Sequence, residues 1–321
     1  MLVRHSVKIR KNRPGLNRSQ RTNLAFYGFI TPWLLGFIFL TVIPLLISLA
    51  LSFTNYDGLN WGSLRFMAFN NYTRAFTNEQ VGHSLQRTSL WLALYLPMWM
   101  VISFGLALLL HQNLKGRGFY RTLYYLPSIV PASAAVIVWR TILDKNTGLL
   151  NGLISLFRPG TAIGWMNDYA LQSMSVVVMW TSLGAGMIIF LAGLQNIPDE
   201  LIEAARIDGA GGWETLRYIT LPLMTPVIFF QLIQGLVAAF QQLTFPLLIA
   251  YVSRSGAIGV PPSSIVLYMV NVFQEIMTNQ RYGYGMALLW LFFIGIVILT
   301  ALLFWSQKFW VFTGAPEEER V

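Results

Sequence analysis

Four glutamines, Gln231, Gln234, Gln241 and Gln242, lie within an otherwise apolar run from Leu223 to Val252. A primary amide both donates and accepts, so it matches the hydroxyls of a polar solute without carrying charge. At about 100° per residue all four share one helical face about 100° wide, with Gly235 and Ala238 inside or beside it. Amides turned to lipid would find no partners there, so they must face protein or water. Two readings follow. The amides line a path for a solute, with the small residues leaving room, or they join helices, a role amides and small residues also fill. Trp180 and Thr181, in a neighbouring apolar run, would complete a solute site, the indole offering a flat face to a sugar ring.

A second polar grouping is charged. Glu203, Arg206 and Asp208 stand in a stretch that ends at Pro226, with apolar sequence on both sides. Pro198, Asp199 and Glu200 mark a helix start, since proline fits a first turn and acids suit the positive end of the helix dipole. Ala204 and Ala205 favour helix. Asp208-Gly209 ends it, because glycine accepts the left-handed cap conformation. A second short helix is expected from about Trp213 to Tyr218, bounded by Pro222. The product is an elbow with an apolar edge (Leu201, Ala204, Ala205, Trp213) beside its charges. Glu203 offers a charge-assisted hydrogen bond to a basic partner, or else caps its own helix.

Other chemistry is missing. There is no Gly-x-x-x-x-Gly-Lys-Ser/Thr phosphate loop, no Gly-x-Ser-x-Gly elbow and no cysteine. His5, His83 and His111 lie far apart, without metal-ligand spacing. No carboxylate pair falls within the apolar runs, which counts against a proton relay. Arg140 and Asp144 sit four apart near the far end of one run. They read as a substrate or ion site, or as a pair snorkelling to the interface. Arg140 lies roughly 27 Å along the run, which favours the interface.

The elements that hold these residues are membrane spans. The chain is 55% hydrophobic and 11% charged, with a mean hydropathy of +0.56, far from a soluble domain. Six runs are long enough to cross a bilayer, at 24–53, 89–110, 122–143, 172–194, 223–252 and 285–309. Residues 1–23 form a basic arm suited to anionic headgroups, 24–309 the membrane domain with its elbow at 198–226, and 310–321 a tail. Fourteen lysines and arginines fall on the arm, the second-to-third loop, the elbow and the tail, against seven on the three opposite loops. That excess places both termini and the elbow in the cytoplasm. It also accounts for the net charge of +9 without nucleic acid.

The stretch Glu203-Ala204-Ala205-Arg206-Ile207-Asp208-Gly209-Ala210, then Ile219, Leu221-Pro222 and Pro226, resembles the EAA loop of permease subunits of binding-protein-dependent ABC importers. Leu216 stands where that family usually has phenylalanine. Phe69-Asn70-Asn71-Tyr72 and the Gly118–Pro127 segment resemble its carbohydrate branch, of maltose type, but the chain lacks that type's two extra leading spans and large external insertion. The resemblance implies an all-α, six-helix type I importer permease in a prokaryotic inner membrane. It implies a non-catalytic subunit, with ATP and Mg bound by two separate ATPase subunits. A second permease, most often a distinct chain, and an extracytoplasmic solute-binding protein complete the assembly. Glu203, Ala204, Ala205, Asp208, Gly209 and Ala210 then face the ATPase. Trp180, Thr181, Gln234, Gly235, Gln241 and Gln242 then line the carbohydrate path. A self-contained carrier or channel is the alternative; it predicts two similar halves or buried charges, and neither is seen. A membrane scaffold ranks below both.

Cysteines at Asn17 and Gly209 should react with an impermeant thiol reagent only from the cytoplasm, and at Asn70 and Asn151 only from outside. Labelling of position 209 from outside would overturn the orientation.

Overall fold

Proline decides where these apolar helices bend. The computed structural model describes residues 18–112, 114–253 and 261–312. Most of the basic arm and of the tail after Phe312 lie outside the described residues. Within them the regular structure is helical, with one isolated antiparallel bridge between Thr54 and Phe66.

The first span is α1 (Arg18–Phe37), a wide turn at Ile38–Val42, and α2 (Ile43–Ser52). A short helix α3 (Asn70–Thr77) leads into α4 (Glu79–His111), which carries Pro97 inside it. Next come α5 (Arg117–Tyr125), a tight turn at Leu126–Ile129, and α6 (Ala132–Leu143). Helix α7 (Leu149–Phe157) lies in the following loop, and α8 (Ala170–Gln195) crosses back. The elbow holds α9 (Asp199–Ile207) and α10 (Gly212–Thr215), followed by α11 (Leu221–Phe240), α12 (Thr244–Ser253), α13 (Tyr268–Phe273) and α14 (Tyr282–Trp310). Five stretches among the described residues are long and apolar enough to cross a membrane, and a sixth is the pair α5–α6 taken as one.

Three expectations need correction. The third span is not one helix from Thr122 to Leu143. It bends by 101° between α5 and α6, at a break containing Pro127 and Pro131. Each proline lacks an N–H and crowds the carbonyl four residues back. The second elbow helix does not stop before Pro222. It runs through a wide turn at Leu216–Thr220 straight into α11. The wide turns at Ile38–Val42 and Leu216–Thr220 lie just ahead of Pro44 and Pro222, and each loosens the ladder where proline cannot join it. The fifth span is not continuous to Val252 either. It breaks at Gln241–Leu243, five to three residues before Pro246, whose ring would strike the Gln242 carbonyl in a continuing helix.

Packing centres on α4 and α8. Trp91, Tyr95 and Trp99 stack along α4, with ring centroids 4.8 and 6.4 Å apart, and the Tyr95 hydroxyl meets Ser182 Oγ at 2.9 Å. A Cβ on Gly184 would overlap the Tyr124 carbonyl oxygen and lie 2.6 Å from Tyr125 Cα. Glycine there lets the bent third span touch α8 backbone to backbone. On the side away from the elbow, Asn71 Nδ2 donates to the Ser52 and Thr54 carbonyls at 2.8 Å each, and Tyr72 OH pairs with Ser52 Oγ at 2.7 Å. The Asn-Tyr segment therefore clamps the end of the first span. Asn151 is buried and ties its loop together through Asp144, Lys145, Ile163 and Trp165. It is a poor labelling position, as is Gly209 with its φ of +81°; the exposed neighbours Asn146 and Ala204 serve instead.

Gly184→Ala should destabilise the purified protein by about 1–3 kcal/mol through overpacking. Gly105→Ala, where nothing lies within 4 Å, should leave it unchanged or raise it by up to about 1 kcal/mol. Thermal unfolding of the two variants checks this, and shifts of the same sign would contradict the backbone contact.

Candidate functional site

The elbow is built from local rules. Pro198 precedes α9 and the acids Asp199 and Glu200 fill its first turn. At the other end Ala210 N–H donates to the Ala205 carbonyl at 2.9 Å and Gly209 N–H to the Arg206 carbonyl at 3.1 Å. Together with the positive φ of Gly209, these two bonds make a Schellman cap. A Cβ at Gly209 would meet nothing, so the backbone angle alone demands glycine. Glu214 Oε2 accepts from Gly211 N–H at 2.6 Å and starts α10.

Glu203, Ala204, Asp208 and Gly209 are exposed, Ala210 is half-buried and Ala205 is buried. Glu203 makes no hydrogen bond or ion pair within the described chain, so it does not cap its own helix. Around these residues Ile207 is 86% exposed, Trp213 68% and Tyr218 69%. The elbow thus presents a carboxylate beside large apolar side chains. Beneath it a cavity of about 320 Å³ lies against Leu108, His111, Ile202, Arg206 and Thr220. At the root of α9 the Gln195 amide oxygen accepts from Arg117 Nη2 and Arg121 Nη2, each at 3.1 Å. One side chain thereby joins the end of α8 to the start of α5. The pairing of Gln195 with two arginines some seventy-five positions earlier left no local signal.

The four amides do not act as one face. Gln231 is 1% exposed and its Nε2 donates to the Gly186 carbonyl of α8 at 3.1 Å. It is helix-joining glue. Gly235 is also used in packing, since a Cβ there would lie 2.5 Å from Leu96 Cδ1 and 3.0 Å from the Trp99 ring. Its Cα side is thus occupied by α4 side chains. Gln234 and Gln241 are exposed. Gln242 sits in the break after α11, where its Oε1 accepts from Phe245 N–H at 3.5 Å and starts α12. The single-face reading fails for Gln241 and Gln242 because it extends helical geometry across the Pro246 break.

Trp180 and Thr181 are half-buried on α8. The Trp180 ring meets Trp139 of α6 edge to face at 5.9 Å. Thr181 Oγ1 bonds back to the Val178 carbonyl at 2.9 Å, leaving its acceptor capacity open. Trp139 was not singled out from sequence; its indole N–H is buried without a partner. Arg140 and Asp144 form no ion pair. Among the described residues the ion pair within 4 Å is Arg281 to Glu275, at 3.4 Å. No group of three or more His, Cys, Asp or Glu that could hold a metal occurs among the described residues.

Residues 99–311 match the family described as binding-protein-dependent transport system inner membrane component. The chain is 36% identical over 303 residues to the probable ABC transporter permease protein YesP of Bacillus subtilis, covering 93% of this chain and 95% of that one. It is 25% identical over 299 residues to the lactose transport system permease protein LacF of Rhizobium radiobacter, covering 90% and 98%. Its fold is similar to that of a chain in the crystal structure of a bacterial alginate ABC transporter in complex with an alginate pentasaccharide-bound periplasmic protein. That match has a TM-score of 0.76 at 18% identity and covers 91% of this chain and 96% of that one. The chain belongs to this family of inner-membrane transport components, and its all-α fold is the type I importer permease fold.

Gln231→Leu should lower the stability of the purified protein by about 0.6–1.7 kcal/mol, the range for interhelical hydrogen bonds in membranes. Gln234→Leu should leave it unchanged. Unfolding in a denaturing-detergent titration checks this, and a loss at Gln234 matching that at Gln231 would restore the common face.

Proposed function

We infer that this family member is the permease subunit of an ATP-driven importer for a carbohydrate of one to several sugar units. The carrying observation is the elbow. Its Glu-Ala-Ala…Asp-Gly pattern folds into a capped helix whose carboxylate and large apolar side chains stay uncovered. Such a surface is suited to a protein partner, since exposed apolar patches rimmed by charge mark interaction sites. The partner is an ABC ATPase bearing a basic residue for Glu203 and a groove for the apolar edge. ATP and Mg belong to two copies of that partner, and this chain has no catalytic role of its own.

A second permease and an extracytoplasmic binding protein complete the system. The chain lies in the cytoplasmic membrane with its elbow and termini inside, in keeping with the distribution of lysine and arginine. Closure of the ATPases brings the elbows together and opens the path to the outside. Carbohydrate as solute fits the lactose relative and the alginate transporter of similar fold. It also fits side chains that hydrogen-bond without charge: Gln234 and Gln241 exposed, Gln242 at the break, Thr181 and the face of Trp180 on α8.

The test is reconstitution of the full transporter in proteoliposomes. Saccharide uptake should require ATP, the ATPase and the binding protein. Glu203→Ala should lower coupled hydrolysis roughly tenfold or more, as expected for loss of a shielded charge-assisted bond. Gly209→Asp should abolish it. Gln234→Leu, Gln241→Leu and Gln242→Leu should each cut uptake while assembly and basal hydrolysis persist. Uptake without the ATPase would sink the reading, and unchanged coupling in both elbow variants would remove the elbow from it.

A further inference from the structure

We propose that the outer end of α6 carries a subsite for an acidic saccharide, a sugar ring bearing a carboxylate. This deepens the carbohydrate reading above and rests on it. A cavity of about 510 Å³ opens on the face opposite the elbow, lined among others by Arg140, Asp144, Lys145, Trp165, Asn167 and Pro262. That volume falls in the range of small-molecule sites.

Arg140 shares a helical stripe with Val136 and Leu143, which are 0% and 6% exposed and face the bundle. Arg140 itself is exposed, and it lines the cavity at the end of that stripe. The acid beside it is already engaged. Asp144 Oδ1 accepts from Asn146 N–H, Thr147 N–H and Thr147 Oγ1, each at 2.9 Å. Those bonds, Thr147 and Asn146 first, hold Asp144 below the ordinary carboxylate range, and Arg140 contributes least. Asp168 abuts Gly164, itself a lining residue, but does not line the cavity. Among the described residues neither Arg140 nor Lys145 has an ion pair. Two cations, neither in an ion pair, thus share the cavity lining with one carboxylate, Asp144, whose Oδ1 is taken up by its own turn.

The site is also rigid. Asn151, 4% exposed, donates to the carbonyls of Asp144, Lys145 and Ile163 and accepts from Ile163 N–H and Trp165 Nε1. Ser173 Oγ holds the Trp165 carbonyl at 2.8 Å. The backbone carrying Lys145 and the ring of Trp165 are therefore fixed before a ligand arrives, which lowers the entropic cost of binding. The chemistry is complementary to a uronate. The guanidinium takes a carboxylate through paired N–H groups, and the ammonium adds a point charge. The indole offers an apolar face to the ring, and the Asn167 amide meets its hydroxyls.

The experiment measures equilibrium binding of trisaccharides of galacturonate, glucuronate and mannuronate to the complete transporter in nanodiscs. Each is compared with its carboxyl-reduced, neutral counterpart. At least one uronate should bind about tenfold more tightly than its counterpart, the preference falling with added salt. Arg140→Gln with Lys145→Gln should abolish the preference and leave binding of the neutral sugars unchanged. Arg158→Gln, an exposed cation in the same loop and outside the cavity, should not alter it. Equal binding of charged and reduced sugars, or a preference surviving in the double variant, overturns the subsite. If ATP-driven uptake of neutral saccharides persists in that case, the importer reading stands without the subsite. If no saccharide is bound or transported, both fall.

Discussion

Helix α8 can be approached closely because Gly184, Gly186 and Gly193 have no side chains. A Cβ at the first would overlap the end of α5, at the second would press on Trp99 and Ser103 of α4, and at the third on Met224 and Val227 of α11. Three elements are thereby set against one helix, α5 through its backbone and α4 and α11 through side chains. In lipid there is no hydrophobic force to draw helices together, so van der Waals fit and interhelical hydrogen bonds must do it. The Gly186 carbonyl that accepts from Gln231 is reachable for the same reason. The stacked Trp91, Tyr95 and Trp99 fill the space that close approach creates.

That bundle ends, on the elbow side, in a root held by Gln195. The end of α8, the start of α5 and the start of α9 meet there, and one amide oxygen accepts from both arginines, whose Nε groups stay buried without partners. The elbow beyond it is capped at Gly209 and continuous with α11 through a wide turn. Helix thus runs unbroken from α10 into α11, while α9 is set off from α10 by the Gly209 cap and α8 is tied to α5 through Gln195. On the opposite side the bundle ends in loops pinned by two buried asparagines, Asn71 and Asn151. Both satisfy backbone carbonyls that burial would otherwise leave costly.

Several features were written in neighbouring residues and could be read without coordinates. The apolar runs give the class, the Asp208-Gly209 pair gives the cap, and Pro198 with its acids gives the helix start. All depend on contacts within about five positions, which a sequence lists directly. The bend at Pro127 and Pro131 and the break ahead of Pro246 are equally local. The break at Pro246 was overrun only because helical periodicity was extended past it.

Tertiary structure alone decided the rest. Helices that are apolar on every side, such as α8, carry no stripe to say which face meets which neighbour. Gln231 and Gln234 are the same residue type three positions apart, yet one is buried against Gly186 and the other is exposed. Gly235 reads as open space beside the amides and is filled by Leu96 and Trp99. Arg140 reads as half of a surface pair, but Asp144 is engaged by its own turn, and the arginine lines a cavity together with residues more than a hundred positions away. Local geometry follows from local residues. Whether a polar group on a helix finds protein or open space depends on partners distant in sequence, and only the folded chain brings those together.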